Sequence, residues 1–148
     1  MGRLIYFDHA ATTPTDPRVF EVMKPYFTEV FGNPSSIYQF AQKARKAVDE
    51  AREKVSAMLE CAPREVLFTS CGTESNNFFI LGAAAAYEKF GKHIVTTKIE
   101  HDSVLKPLEH LESRGFEVTY LDVGENGIVD PASVASALRP DTIFVTIM

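Results

Sequence analysis

From Glu65 onward, short β-rich runs alternate with helical stretches, and this alternation constrains the fold more than any other feature of the chain. The pattern predicts strands at Glu65–Thr69, His93–Thr97, Phe116–Asp122 and Thr142–Met148. Between them it predicts helices at Thr73–Phe90, Asp102–Arg114 and Pro131–Leu138. Strands that alternate with helices through short connections build an α/β fold. The sheet is then mainly parallel, with helices on both faces and right-handed crossovers. In such sheets ligands bind beyond the carboxyl ends of the strands.

Upstream, Asp16-Pro17 reads as a capped helix start with proline in the first turn, Pro25 as a kink, and Phe31-Gly32 as the end of that helix. Phe31–Ser36 is a turn-rich loop. Beyond it Ile37, Phe40, Ala41, Ala44, Val48, Ala51, Val55, Met58 and Leu59 recur at helical spacing, a stripe expected to pack into a core.

Composition narrows the function. The 148 residues suffice for one domain with a sizeable core, and a net charge of −5 leaves no electrostatic footprint for nucleic acid or an anionic membrane surface. No stretch is apolar for long enough to span a bilayer, and no hydrophobic signal core opens the chain, so a cytoplasmic protein is expected. Cys61 and Cys71 make no disulfide framework. His9, His93, His101 and His110 form no metal-ligand spacing, so no metal is expected.

The segment Phe68-Thr69-Ser70-Cys71-Gly72-Thr73-Glu74-Ser75-Asn76-Asn77 joins a short apolar run to a long apolar helix. A helix start offers unpaired amides and the positive end of the helix dipole, and Gly72 has no side chain to obstruct an anion. It reads as a phosphate cradle or, more plainly, as a helix start capped by Ser70 or Thr73. It is neither G-x-G-x-x-G nor a loop ending in Gly-Lys-Ser/Thr. Cys71 reads as a small buried turn residue, with thiol activation by the helix start as the alternative.

Four segments together resemble one family: Tyr6-Phe7-Asp8-His9-Ala10-Ala11-Thr12-Thr13-Pro14, Phe31-Gly32-Asn33-Pro34-Ser35-Ser36, the Phe68–Asn77 turn, and Thr96-Thr97-Lys98-Ile99-Glu100-His101. In order and interval they are similar to the start of the pyridoxal-phosphate-dependent cysteine desulfurases of the class V aminotransferase family, over nearly the whole chain. The resemblance implies the fold-type I transferase fold, with residues 1–15 an N-terminal arm belonging to the small domain. Residues 16–148 would be the first half of the large cofactor domain. It also implies pyridoxal 5'-phosphate as cofactor, with Gly72 and Thr73 holding its phosphate and His101 stacking on its ring and exchanging protons with the substrate.

The implied reaction releases sulfur from L-cysteine, giving alanine and an enzyme persulfide for a sulfur-acceptor or scaffold protein in iron–sulfur cluster assembly, with a homodimer as the complete enzyme. The family's Schiff-base lysine and nucleophilic cysteine lie beyond the position matching Met148. The chain is therefore expected to be truncated and inactive alone. A non-catalytic split module, or part of another class V enzyme such as a selenocysteine lyase, is the alternative. Lys98 lies outside any segment resembling the family's lysine motif and reads as a solvated strand-end residue. Asp102 reads as a helix cap, and Glu100 as a solvated loop acid or an orienting partner of the imidazole.

Overall fold

A computed structural model describes residues 5–148. They fall into two compact units, Met1–Leu67 and Phe68–Met148, the first four residues of the N-terminal arm lying outside the described residues.

In the first unit, helix α1 spans Pro17–Thr28 and starts as its sequence predicts: the Asp16 side chain accepts the Arg18 backbone N–H at 2.8 Å, and Pro17 occupies the first turn. The helix runs on through Pro25. Helix α2 spans Gln39–Met58, and a 3₁₀ turn at Pro63–Glu65 packs against it. Gly32 is buried against the start of α2, where a Cβ would come within 2.8 Å of the Ala41 Cα.

The expected core stripe of α2 is buried only in part. Ala41, Ala44 and Ser56 are buried, whereas Ile37, Met58 and Leu59 are exposed. Helical spacing selects one face of a helix; burying that face requires an opposing surface. Within this unit the 3₁₀ turn supplies only a small one.

The second unit is a three-stranded parallel sheet in the order β2-β1-β3, where β1 is His93–Thr97, β2 Glu117–Leu121 and β3 Thr142–Val145. Helix α3 (Gly72–Tyr87) leads into β1, α4 (Asp102–Ser113) joins β1 to β2, and α5 (Pro131–Ala137) joins β2 to β3. The chain steps from β1 to one neighbour and then across to the other. Right-handed crossovers in opposite directions carry α4 and α5 to opposite faces of the sheet. α3 packs beside α4.

Every residue of β1 is buried, as expected of a central parallel strand. Ile94 joins Ile80 and Ala84 of α3, Val104, Leu108 and Leu111 of α4, and Phe116 in the core, with Val118, Ile143 and Phe144 packed against it. On β1 the fully buried His93 bridges both neighbours, with Nε2 2.8 Å from Thr119 Oγ1 and Nδ1 2.7 Å from Thr142 Oγ1.

The strand expected at Glu65–Thr69 does not form among the described residues. Glu65 closes the 3₁₀ turn, and Val66–Phe68 is not part of a strand, Leu67 and Phe68 being exposed. Apolar, β-branched composition favours a pleated surface, but a strand also needs a neighbour to pair with. The last strand is likewise shorter than its apolar run. It ends at Val145, although Thr146 still donates to Val95 O at 3.0 Å.

Candidate cofactor site

The Phe68–Asn77 turn enters α3 with Cys71 as the flanking residue, and Ser75 is the first residue whose backbone N–H finds an α3 acceptor, Cys71 O at 3.1 Å. Neither Ser70 nor Thr73 caps the helix, which corrects the plainer reading of the turn. Instead the Glu74 carboxylate reaches back to Ser70, accepting its backbone N–H at 2.6 Å and its hydroxyl at 2.8 Å. Those bonds hold the Glu74 carboxyl below its ordinary pKa.

Cys71 is exposed rather than buried. The Glu74 backbone N–H first, then the Ser70 hydroxyl and the Thr73 backbone N–H, pull its thiol below the ordinary pKa, against the opposing charge of the Glu74 carboxylate. Gly72 leaves the approach open, since a Cβ there would meet nothing within 4 Å.

His101 lies in the loop leaving β1 and is itself the capping residue of α4, the role expected of Asp102. Its Nδ1 accepts the Ser103 backbone N–H at 3.0 Å, and Asp102 is the first helical residue. Asn76 Nδ2 donates to Ser103 Oγ at 2.8 Å, bringing the first turns of α3 and α4 together at the carboxyl rim of the sheet. Gly72 and Thr73 open the first of these turns, and His101 caps the second. Thr73, Asn77 and Leu81 of α3 and Ser103, Lys106 and Pro107 of α4 line part of a groove of about 400 Å³, of which His101 is not a lining residue.

Glu100 is not the solvated acid its type suggests. It is buried, and its Oε1 accepts from Thr97 Oγ1 at 2.6 Å and from the Met148 backbone N–H at 2.7 Å. The imidazole is held by Ser103 instead. Lys98 is exposed and paired with Asp122 at 2.7 Å. Among the described residues no group of three or more His, Cys, Asp and Glu is arranged to hold a metal, and no helix is long and apolar enough to cross a membrane.

Sequence reasoning missed Ser103 and the partnership of Asn76 with it. Asn76 lay within a quoted segment, but the contact spans 27 positions and no local pattern encodes it.

A family model described as aminotransferase class-V matches residues 5–148. The chain belongs to the class-V aminotransferase family. It is 54 % identical over 144 residues to the putative cysteine desulfurase IscS 1 of Bacillus subtilis (strain 168), an alignment covering 97 % of this chain and 38 % of that protein. It thus spans 38 % of the length of that curated relative.

Among solved structures, a NifS-like protein superposes with a TM-score of 0.90 at 40 % identity, covering 97 % of this chain and 40 % of that one. A structure described as SspA in complex with cysteine gives a TM-score of 0.84 at 40 % identity, covering 96 % and 41 %. At this similarity the class-V fold holds for the chain: a partial fold-type I domain with a parallel sheet and helices.

Proposed function

We propose that this chain is the amino-terminal portion of a pyridoxal-phosphate-dependent cysteine desulfurase, a cytoplasmic homodimer that passes the sulfur of L-cysteine to an acceptor protein for iron–sulfur cluster assembly. The observation that supports the reading is the pairing of the α3 and α4 starts through Asn76 and Ser103, 2.8 Å apart, since Gly72 and Thr73 lie in the first turn of α3 and His101 caps α4. The names of the relatives support it.

The residues fit the cofactor. A helix start whose backbone amides lower the pKa of the Cys71 thiol, with an open face at Gly72, suits a phosphate dianion. Gly72 and Thr73 would hold that phosphate through backbone N–H groups and the Thr73 hydroxyl. His101 would lie against the ring and move protons to and from the substrate amine. Pyridoxal phosphate, when bound, supplies the electron sink that cleavage of the carbon–sulfur bond requires. The family's lysine and sulfur-accepting cysteine have no counterpart in the matching segments here, so we assign cleavage of the carbon–sulfur bond, with alanine and the persulfide as its products, to a longer polypeptide and cofactor recognition to these residues.

Absorbance titration with pyridoxal phosphate, together with alanine formation from L-cysteine by the chain alone and by its continuous longer form, tests the proposal. Cofactor binding with alanine formation confined to the longer form is expected. Alanine formation by the chain alone, or no cofactor binding by either form, overturns it.

A further inference from the structure

Among the described residues, the bonds that hold the His101 ring converge on one nitrogen. Nδ1 accepts the Ser103 backbone N–H at 3.0 Å and lies 2.8 Å from Ser103 Oγ. A backbone amide only donates, so Nδ1 presents its lone pair, and the proton of the neutral ring is on Nε2. Ser103 has one hydroxyl hydrogen to give. Asn76 Nδ2, donating to Ser103 Oγ at 2.8 Å, occupies a lone pair of that oxygen and leaves its hydrogen directed to Nδ1. Ser103 is 7 % exposed, so little water competes for these bonds.

We propose that Asn76 and Ser103 are positioning residues for His101: a hydrogen-bond relay from α3 to α4 that holds the imidazole in its Nε2–H tautomer and leaves Nε2 as the working nitrogen. The relay stands on the bonds alone; that Nε2 faces cofactor and substrate rests on the function proposed above. The donor order is directional. An acceptor at position 76 would draw the Ser103 hydrogen to itself and leave Nδ1 with the backbone amide only.

Magic-angle-spinning ¹⁵N spectra of the histidine-labelled chain, recorded at alkaline pH, read the tautomer directly and do not require a monomer. Each of the four histidines contributes its own ring signals, and His101 is assigned by their loss in His101→Gln. The parent is expected to show unprotonated Nδ1 and protonated Nε2. Ser103→Ala removes the hydroxyl and Asn76→Asp reverses it. Each should raise the Nδ1–H population about fivefold, the factor associated with one neutral hydrogen bond. The His93 signals, fixed by Thr119 and Thr142, report that each variant keeps its sheet.

A protonated Nδ1 in the parent, or unchanged tautomer populations in either variant, overturns the relay. No cofactor is needed for this readout. A chain that binds no pyridoxal phosphate yet shows the single tautomer removes the proposed function and leaves the relay standing.

Discussion

The Met148 backbone N–H donates to Oε1 of Glu100 at 2.7 Å, tying the segment beyond β3 to the loop that carries His101. The same oxygen accepts from Thr97 Oγ1 at 2.6 Å, so one buried side chain gathers the ends of two strands on one rim.

Glu100→Ala leaves both donors without their acceptor. A buried donor stripped of its partner costs about 1 to 3 kcal/mol, and the Met148 end is exposed enough for water to compensate in part, so a loss of roughly 2 to 4 kcal/mol is expected. Glu100→Gln keeps an oxygen at the same place and should lose about 1 kcal/mol or less. Urea midpoints with unchanged m-values measure both. Equal losses in the two variants would mean that the carboxylate oxygen does not hold the rim.

Thr73→Ala should weaken retention of pyridoxal phosphate by roughly tenfold to a hundredfold, the worth of one hydrogen bond to a charged acceptor. Fluorescence titration of parent and variant measures it. Unchanged affinity would reduce the turn to a plain helix start.

How much of this was legible in advance differs by residue. β1 was legible because Ile94, Val95 and their neighbours are a short apolar run between turn signals, and a central strand is buried whatever its register. The Val66–Phe68 run carries the same composition, yet its pairing depends on a partner strand that no local pattern supplies. The motif positions Gly72, Thr73 and His101 were visible as residue types at element boundaries. The bonds that orient them were not: Asn76 to Ser103 and Glu100 to Met148 join positions far apart in sequence, and a side chain's type does not reveal its partner. Glu100 misled because acidic loop residues are usually solvated.

His93 makes stability depend on pH. Burial first, and then the Arg139 charge, press its pKa below the ordinary 6.5, against the opposing pull of Asp141 and Glu117. The folded ring therefore stays neutral where the unfolded ring takes up a proton. Above pH 6.5 both states are neutral and the stability is whole. As the pH falls below that value the unfolded chain binds more protons, and stability declines until the folded pKa is passed. Asp141, held low by Arg139, begins to lose its contribution only as the pH falls toward its ordinary 3.8 and below. Urea midpoints should fall as the pH drops below 6.5, and His93→Gln should flatten that slope. A slope that persists in the variant would place its source elsewhere.

Cys71 should be alkylated by iodoacetamide at a lower pH than an ordinary thiol, because the Glu74 amide, the Ser70 hydroxyl and the Thr73 amide favour its thiolate. Ser70→Ala removes one of these donors and should move the alkylation profile to higher pH. Rates followed by peptide mass give the curve, and a profile that does not move would mean that the hydroxyl leaves the sulfur unaffected.

Two glycines separate steric need from helix entry. Gly91 precedes β1, and a Cβ there would lie 2.1 Å from the carbonyl oxygen of Asp141. That carbonyl accepts the His93 backbone N–H at 3.1 Å and cannot retreat without loosening the approach of β3 to β1. Gly91→Ala should therefore cost about 1 to 3 kcal/mol or more, as forced overpacking does. Gly72, the first residue of α3, has open space where its Cβ would be, and its φ lies outside the left-handed region. Gly72→Ala should stabilise the chain by roughly 0.4 to 1 kcal/mol, because alanine narrows the unfolded ensemble without a clash in the folded one. Denaturant unfolding of the two variants should move the midpoint in opposite directions. Movement in the same direction would remove the close approach at Gly91 as the reason glycine is needed there.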